Sequence, residues 1–334
     1  YMGEKQQVSL EDVARYCGLS TVTVSRVLNH SPSVREYNRQ KVMEAIEALG
    51  YIPNAAARTL ARGTTGIIGM ITPGLQDPFF SQIVQEVNNG LISHNLFLAI
   101  SITANQGCDY ILQQQRVDGM MLLAPGMEDE FVPRLKSQKV PFVVLDSQNR
   151  NADYSCILVD NFDGGYQVGR HFLDLGHRRV GFIGGPRELI NSSEREHGLQ
   201  AALAGEGLSV VRSERGQFCF ADGYRIMTAW IAQDVVLSAI FAADCNLALG
   251  VITALREHGY RVPQDVSVCG FDDEPMAQEY IPALTIVAQP VSALAECAIE
   301  QLMIWIGGER PKQLIYRLKP KLVVRESTAP WRAD

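Results

Sequence analysis

The sequence predicts a small all-α helix-turn-helix domain followed by a two-lobed α/β core of doubly wound parallel sheets. Three observations predict it. Residues 8–29, VSLEDVARYCGLSTVTVSRVLN, hold two short helical periods around a glycine-containing break. From Gly66 onward, apolar strand-like runs alternate with amphipathic segments, the β-α-β order of a parallel sheet. The alternation restarts at RRVGFIGG, residues 178–185, so the body reads as two similar halves.

At the head, Ser9 is placed to cap a helix, with Asp12 at the carboxylate position of a capping box. Leu10, Val13 and Ala14 then recur at helical spacing. Gly18 supplies the positive φ of a tight turn, and Ser20 can cap a second helix over 21–28. There Val24, Val27 and Leu28 face inward, while Thr21, Val22, Ser25 and Arg26 face out near the end that enters a DNA major groove. A third helix is expected over 39–49, with Val42, Ile46 and Leu49 as its stripe and Gly50 as its stop. Headpiece 8–52 leads into segment 53–65, where an Ala-rich pair of turns is too short to persist without a partner surface.

The core is expected over 66–334. Its N-lobe spans about 66–160 and its C-lobe about 161–288, with crossing segments at 289–327. Strands are predicted at 66–71, 96–102, 117–123, 140–146 and 156–160, then at 178–185, 239–243, 266–273, 284–290 and 322–327. Helices are predicted at 79–93, 131–138, 164–176, 194–204, 223–232, 247–257 and 293–306. Two doubly wound lobes with a cleft between them form a clamp for a small ligand.

Composition narrows the function. The net charge of −7 argues against wrapping nucleic acid, but residues 1–63 hold eight Lys/Arg and six Asp/Glu, leaving the remainder at −9. A mildly basic head on an acidic body suits DNA binding through the head alone. Seven scattered cysteines, none spaced as CxxC, predict a reducing cytoplasmic setting with neither disulfides nor a metal site. No membrane segment, signal peptide or cofactor is expected. GFIGGP follows a strand but is neither GxGxxG nor GxxxxGK[ST], so an enzyme is disfavoured. An exported solute-binding protein would share the clamp but lack the recognition helix.

STVTVSRVLN, ALGYIPNAAARTL, QDPFF, VDNFDGG, LGHRRVGFIGGP, GFDD and LVVREST follow one another along nearly the whole chain. In that order they resemble the LacI/GalR family of bacterial transcriptional repressors, whose core is periplasmic-binding-protein-like. The resemblance implies a homodimer on pseudo-palindromic double-stranded operator DNA, controlled by a small-molecule effector, most often a mono- or disaccharide. Thr21, Val22 and Arg26 fall on its base-reading positions, and Ser9, Ser20, Ser25, Asn29, Asn38, Tyr51 and Asn54 on phosphate-contacting or supporting ones. Ala57 and Leu60 fall on the hinge residues that enter the minor groove. Effector positions are implied at Asp77, Phe80, Asp146, Arg195, Phe218, Asp244 and Asp272.

Carboxylates paired with an arginine suit vicinal sugar hydroxyls, and the two phenylalanines an apolar ring face. A nucleobase between Phe80 and Phe218, or a phosphosugar, is the alternative, and some members respond to a corepressor instead. Asp273 reads as a helix cap, and Asp160 with Asn161 as fixing the crossover between lobes. Three departures stand out. Asp244-Cys245 replaces the usual Asn-Asp or Ser-Asp pair, Val22 favours a thymine methyl over a hydrogen bond, and 105–116 is short by about two helical turns. No C-terminal leucine heptad is present, so a tetramer is not indicated.

Overall fold

The computed structural model describes residues 8–28, 31–51, 63–102, 116–123 and 125–332. The chain divides into two units, 1–65 and 66–334.

In the head, α1 (Leu10–Cys17), α2 (Thr21–Leu28) and α3 (Glu36–Leu49) enclose Val13, Ala14, Val24, Val27, Val42, Ala45 and Tyr51. Ser9 accepts from the Asp12 amide at 3.2 Å and donates its own amide to Asp12 at 3.0 Å, closing the capping box. Gly18 is left-handed at φ 66°, and Ser20 Oγ accepts from the Thr23 amide at 3.2 Å to start α2. Helix α3 begins three residues before the expected Arg39, because its first turn is polar and shows no apolar stripe.

The body contains two six-stranded sheets. The N-lobe opens with β1 (Ile67–Thr72), α4 (Pro78–Ser93), β2 (Phe97–Ile102) and β3 (Gly119–Leu122). It continues through α5 (Glu128–Ser137), β4 (Phe142–Leu145) and β5 (Cys156–Val159). The C-lobe follows with α6 (Asn161–Asp174), β6 (Val180–Gly184), α7 (Ile190–Ala204), β7 (Arg212–Arg215) and α8 (Phe220–Ala232). Then come β8 (Ala239–Ala242), α9 (Cys245–Glu257), β9 (Ser267–Phe271), the short α10 (Pro275–Glu279) and β10 (Thr285–Ala288). The chain recrosses through α11 (Val291–Ile306) and β11 (Ile315–Leu318), and returns with β12 (Lys321–Val323).

Strand order is β11-β5-β4-β3-β1-β2 in one sheet and β12-β10-β9-β8-β6-β7 in the other, so the lobes repeat one plan. Pairing is parallel throughout except between β10 and β12. The order reverses beside β1 and β6, and ligands of such sheets bind beyond the carboxyl ends of the strands at that reversal.

Two features of the body go beyond the expected plan. The late segments are structural parts of the lobes. Helix α11 buries Leu294, Ala295, Ala298, Ile299 and Leu302 in the N-lobe core, and β11 extends the N-lobe sheet. Edge strand β7, sequence RSER, was not expected, since a half-exposed polar strand has no apolar alternation to betray it.

Candidate ligand cleft and DNA-reading face

Parallel strands that end on one edge bring distant residues together. Asp146 follows β4 and Asp272 follows β9, equivalent places in the two lobes. Both are left-handed, at φ 55° and 72°. Aspartate tolerates that conformation better than most side chains, but it still costs about 1 kcal/mol or more per residue, and such strain gathers at functional sites. Asp77 caps α4, accepting from the Phe79 amide at 2.9 Å, and Asp244 caps α9, accepting from the Leu247 amide at 3.0 Å.

Arg195, on α7, holds this set together while only 4% exposed. Its Nε donates to Asn161 Oδ1 at 2.8 Å and its Nη1 to the Ala243 carbonyl at 2.5 Å, with Asp272 Oδ2 3.6 Å away. The guanidinium stacks 3.5 Å from the centre of the Phe271 ring and lies 6.0 Å from that of Phe218. Its Nη2 has no hydrogen-bond partner among the described residues, so two donors remain for a ligand.

Each aspartate likewise commits one oxygen to the protein. Asp146 Oδ1 accepts from Asn191 at 2.6 Å, and Asp272 Oδ1 accepts from Gln289. The second oxygens of Asp77, Asp146 and Asp244 carry no hydrogen bond among the described residues, and that of Asp272 faces Arg195. Phe218, half-buried, lies over Gly185, where a Cβ would stand 2.3 Å from its ring. A crevice too narrow for a water molecule runs from Asp146 down the apolar strand ends Leu123, Leu145, Ile157 and Val159, and a small cavity of about 20 Å³ lies between Phe79 and Gln289.

Of the seven implied effector positions, six converge, and Phe80 is the exception. Phe79 and Phe80 both pack against the N-lobe core, and Phe79 also lines both of these spaces. On an N-capped helix start the two faces are set by the cap geometry, which sequence does not give. Asp273 is corrected too: it accepts from Arg325 at 2.7 Å and caps no helix. Asp160 caps α6, and Asn161 is the acceptor that aims Arg195.

Sequence reasoning missed Arg150, Asn191, Phe271, Glu274 and Gln289. Arg150 reaches across from the N-lobe to Glu194, pairing Nε and Nη2 with its two oxygens at 2.7 Å each. A tertiary partnership of this kind leaves no local pattern.

Burial pushes the carboxyls of Asp146 and Asp244 up to about 7, and raises those of Asp77 and Asp272. An acid whose folded value is raised stabilises the fold below its ordinary value, and that stability is lost as pH rises through the raised one. For Asp244 the window therefore runs from about 4 to about 7. There it contributes roughly 1.4 kcal/mol per pH unit, about 3 °C in Tm. Burial holds His177 down at about 4 and lowers His171 too, which opposes this below pH 6.5, as two groups against several. Thermal melts from pH 8 to 5 should show the midpoint rising on acidification, with a flatter slope in Asp244→Asn. Identical slopes for parent and variant would contradict it.

On the head, Thr21, Val22 and Arg26 are exposed on one side of α2, with Val22 58% accessible, while Ser25 is partly covered. Ser9 and Ser20 serve as caps, Asn38 sits in the first turn of α3, and Tyr51 is buried in the head core, a supporting place. Asn29, Asn54, Ala57 and Leu60 lie outside the described residues, as does 105–116 except Arg116.

A three-helix head with an outward recognition helix, and a separate two-lobed ligand clamp, define a ligand-controlled DNA-binding regulator. Residues 9–54 match bacterial regulatory proteins of the lacI family, and residues 170–328 match the periplasmic binding protein-like domain. The chain is 33% identical over 328 residues to the HTH-type transcriptional repressor PurR of Mannheimia succiniciproducens, covering 96% of this chain and 98% of that one. To PurR of Erwinia tasmaniensis it is 34% identical, covering 97% and 98%.

Among solved structures it resembles the lac repressor dimer bound to operator and the anti-inducer ONPF, with TM-score 0.87 and 27% identity over 97% of this chain and 100% of that one. It also resembles the CelR–cellobiose complex, with TM-score 0.73 and 29% identity over 96% and 100%. A LacI-family regulator from Enterococcus faecium with bound ribose gives TM-score 0.71 and 27% identity over 80% and 100%. The chain belongs to the LacI family and is a DNA-binding transcriptional repressor. No helix among the described residues is long and apolar enough to cross a membrane, and no cluster among them could hold a metal ion.

Proposed function

We propose that this repressor binds a pseudo-palindromic operator as a homodimer in the cytoplasm and is released by a polyhydroxylated effector without negative charge, a mono- or disaccharide. The observation that carries the effector class is the acceptor-rich cleft. Asp77, Asp146, Asp244 and Asp272 each offer an oxygen, against one facing guanidinium, that of Arg195. The nearby Arg150 and Arg325 are engaged by Glu194 and Asp273. Such a site asks for a ligand rich in donors and without negative charge, which disfavours a phosphosugar. The cellobiose and ribose complexes of similar regulators support this reading. A purine base is the second reading, favoured by the aromatic rings of Phe79 and Phe218 at the cleft and in keeping with the PurR relatives.

Titration of the full chain on operator DNA with sugars and purines in parallel separates the two. Release by a sugar and not by purines is expected, and release by purines alone overturns the sugar assignment. Sugar closure of the lobes is proposed to act on the head through 53–65 and to weaken operator binding by about 10³-fold, which requires a preference of roughly 4 kcal/mol for the low-affinity state.

Direct readout is assigned to Arg26, exposed on α2, in a bidentate pair with guanine. Arg26→Ala should lose about 1–3 kcal/mol of specific affinity, roughly 5- to 150-fold. A gel shift with specific and scrambled duplexes checks this, and equal specific affinity would remove Arg26 from the reading set.

Dimerisation is assigned to the N-lobe edge, where Phe97 is 75% exposed and Ile100 and Ile102 on edge strand β2 and Ile92 on α4 are exposed as well. An exposed apolar strand edge is a pairing surface. Phe97→Asp should shift the chain from dimer to monomer by light scattering. An unchanged mass would place the interface elsewhere.

A further inference from the structure

One carboxyl of the cleft has no role in the reading above. Glu274, three residues beyond β9, is 3% exposed. Among the described residues its side chain makes no hydrogen bond and no ion pair. It lines the cavity between the lobes with Phe79, Gln82, Asp272 and Gln289. The charged groups that press on it are Asp244, Asp272 and Asp77, all acids, and the thiol of Cys245 lies beside it. Its neighbours in the site each have a structural partner: an amide for Asp77 and Asp244, and Gln289 and Arg195 for Asp272. Burial and the neighbouring acids push Glu274 up to about 8, so without a partner it holds a proton, and only a ligand bringing donors and positive charge favours its carboxylate.

We infer that Glu274, with Asp77 and Asp244, forms a subsite for a protonated amine, so that the preferred effector is a sugar bearing a basic amino group. An ammonium brings three donors and one positive charge, and both are what this corner lacks. A hydroxyl at the same place brings one donor and leaves the acids mutually repelling. Arg195, on the other side of Asp272, holds the hydroxyl-bearing part of the ring. The inference rests on the sugar reading of the cleft and narrows it.

The test uses the full chain and matched probes by isothermal titration at pH 7: glucosamine against glucose, galactosamine against galactose, and deacetylated chitobiose against cellobiose. In at least one pair the amine is expected to bind tenfold or more tightly than its neutral partner. In E274Q that ratio should fall to within twofold of one, and E274D, which keeps the charge, should retain a clear preference for the amine. Neutral sugars binding as tightly as amines in every pair, or an undiminished ratio in E274Q, would overturn the subsite while leaving the sugar reading in place. Silence from all six probes would overturn both.

Discussion

Arg195→Ala is expected to abolish the response to effector while operator binding persists. The guanidinium is the one group in the cleft that joins both kinds of interaction a sugar needs, charge-assisted hydrogen bonds and a flat stacked surface. Hydrogen bonds to a charged group contribute about 1.5–3 kcal/mol each. Losing the two remaining Nη2 donors should therefore raise the effector Kd by about 100-fold or more. The deletion also leaves Asn161 Oδ1, the Ala243 carbonyl and Asp272 without their cation.

Arg195→Lys should not restore the response, because an ammonium has neither the planar fork nor the stack on Phe271. The head is a separate compact unit, so its fold does not depend on this residue. Fluorescence anisotropy of labelled operator, with and without sugar, reads both quantities in one titration. A normal sugar response in the alanine variant would mean that the ligand binds elsewhere.

Gly165→Ala is expected to cause the largest loss of stability. Gly165 on α6 faces the backbone of α7, where an added Cβ would stand 1.9 Å from the carbonyl oxygen of Arg195. Gly198 on α7 faces back, its missing Cβ 2.0 Å from the Phe162 carbonyl oxygen. The two glycines let the helices touch backbone to backbone, and one methyl group forces them apart by about 1 Å or more. Overpacking of this kind costs about 1–3 kcal/mol and sometimes more. At the upper end that is a drop in Tm of roughly 5–6 °C.

Because the displaced carbonyl belongs to Arg195, effector affinity should fall in the same variant. The C-lobe repeats the arrangement where Gly223 meets the Leu247 carbonyl and Gly250 the Phe220 carbonyl, both at 2.2 Å. Gly223→Ala should then lower Tm comparably without a direct push on Arg195. A Tm within 1–2 °C of the parent for Gly165→Ala would show that the helices separate at little expense.

Much of the candidate site was readable in advance because each of its main residues sits at a recognisable junction. Asp146, Asp244 and Asp272 stand within two residues of the end of an apolar strand run, and Asp77 stands at the start of the helix that follows one. Arg195 lies on the helix after the next strand. Phe79 lines the spaces at the cleft because adjacent residues in the first turn of a helix differ by about 100° in direction, and only the capped structure sets which one meets them. Glu274 and Arg150 were missed because their significance lies in what they face, namely other acids and Glu194 on the opposite lobe.

Local chemistry determined the caps, the turns, the three head helices and the alternation of strand and helix, since each depends on residues within a few positions of one another. Tertiary structure alone decided that α11 and β11 return to the N-lobe, that RSER closes the C-lobe sheet, and which side chains share the cleft. Those outcomes bring together residues as far apart as Phe79 and Gln289, gathered at one edge because parallel strands all end there. No stretch of neighbouring residues carries that information.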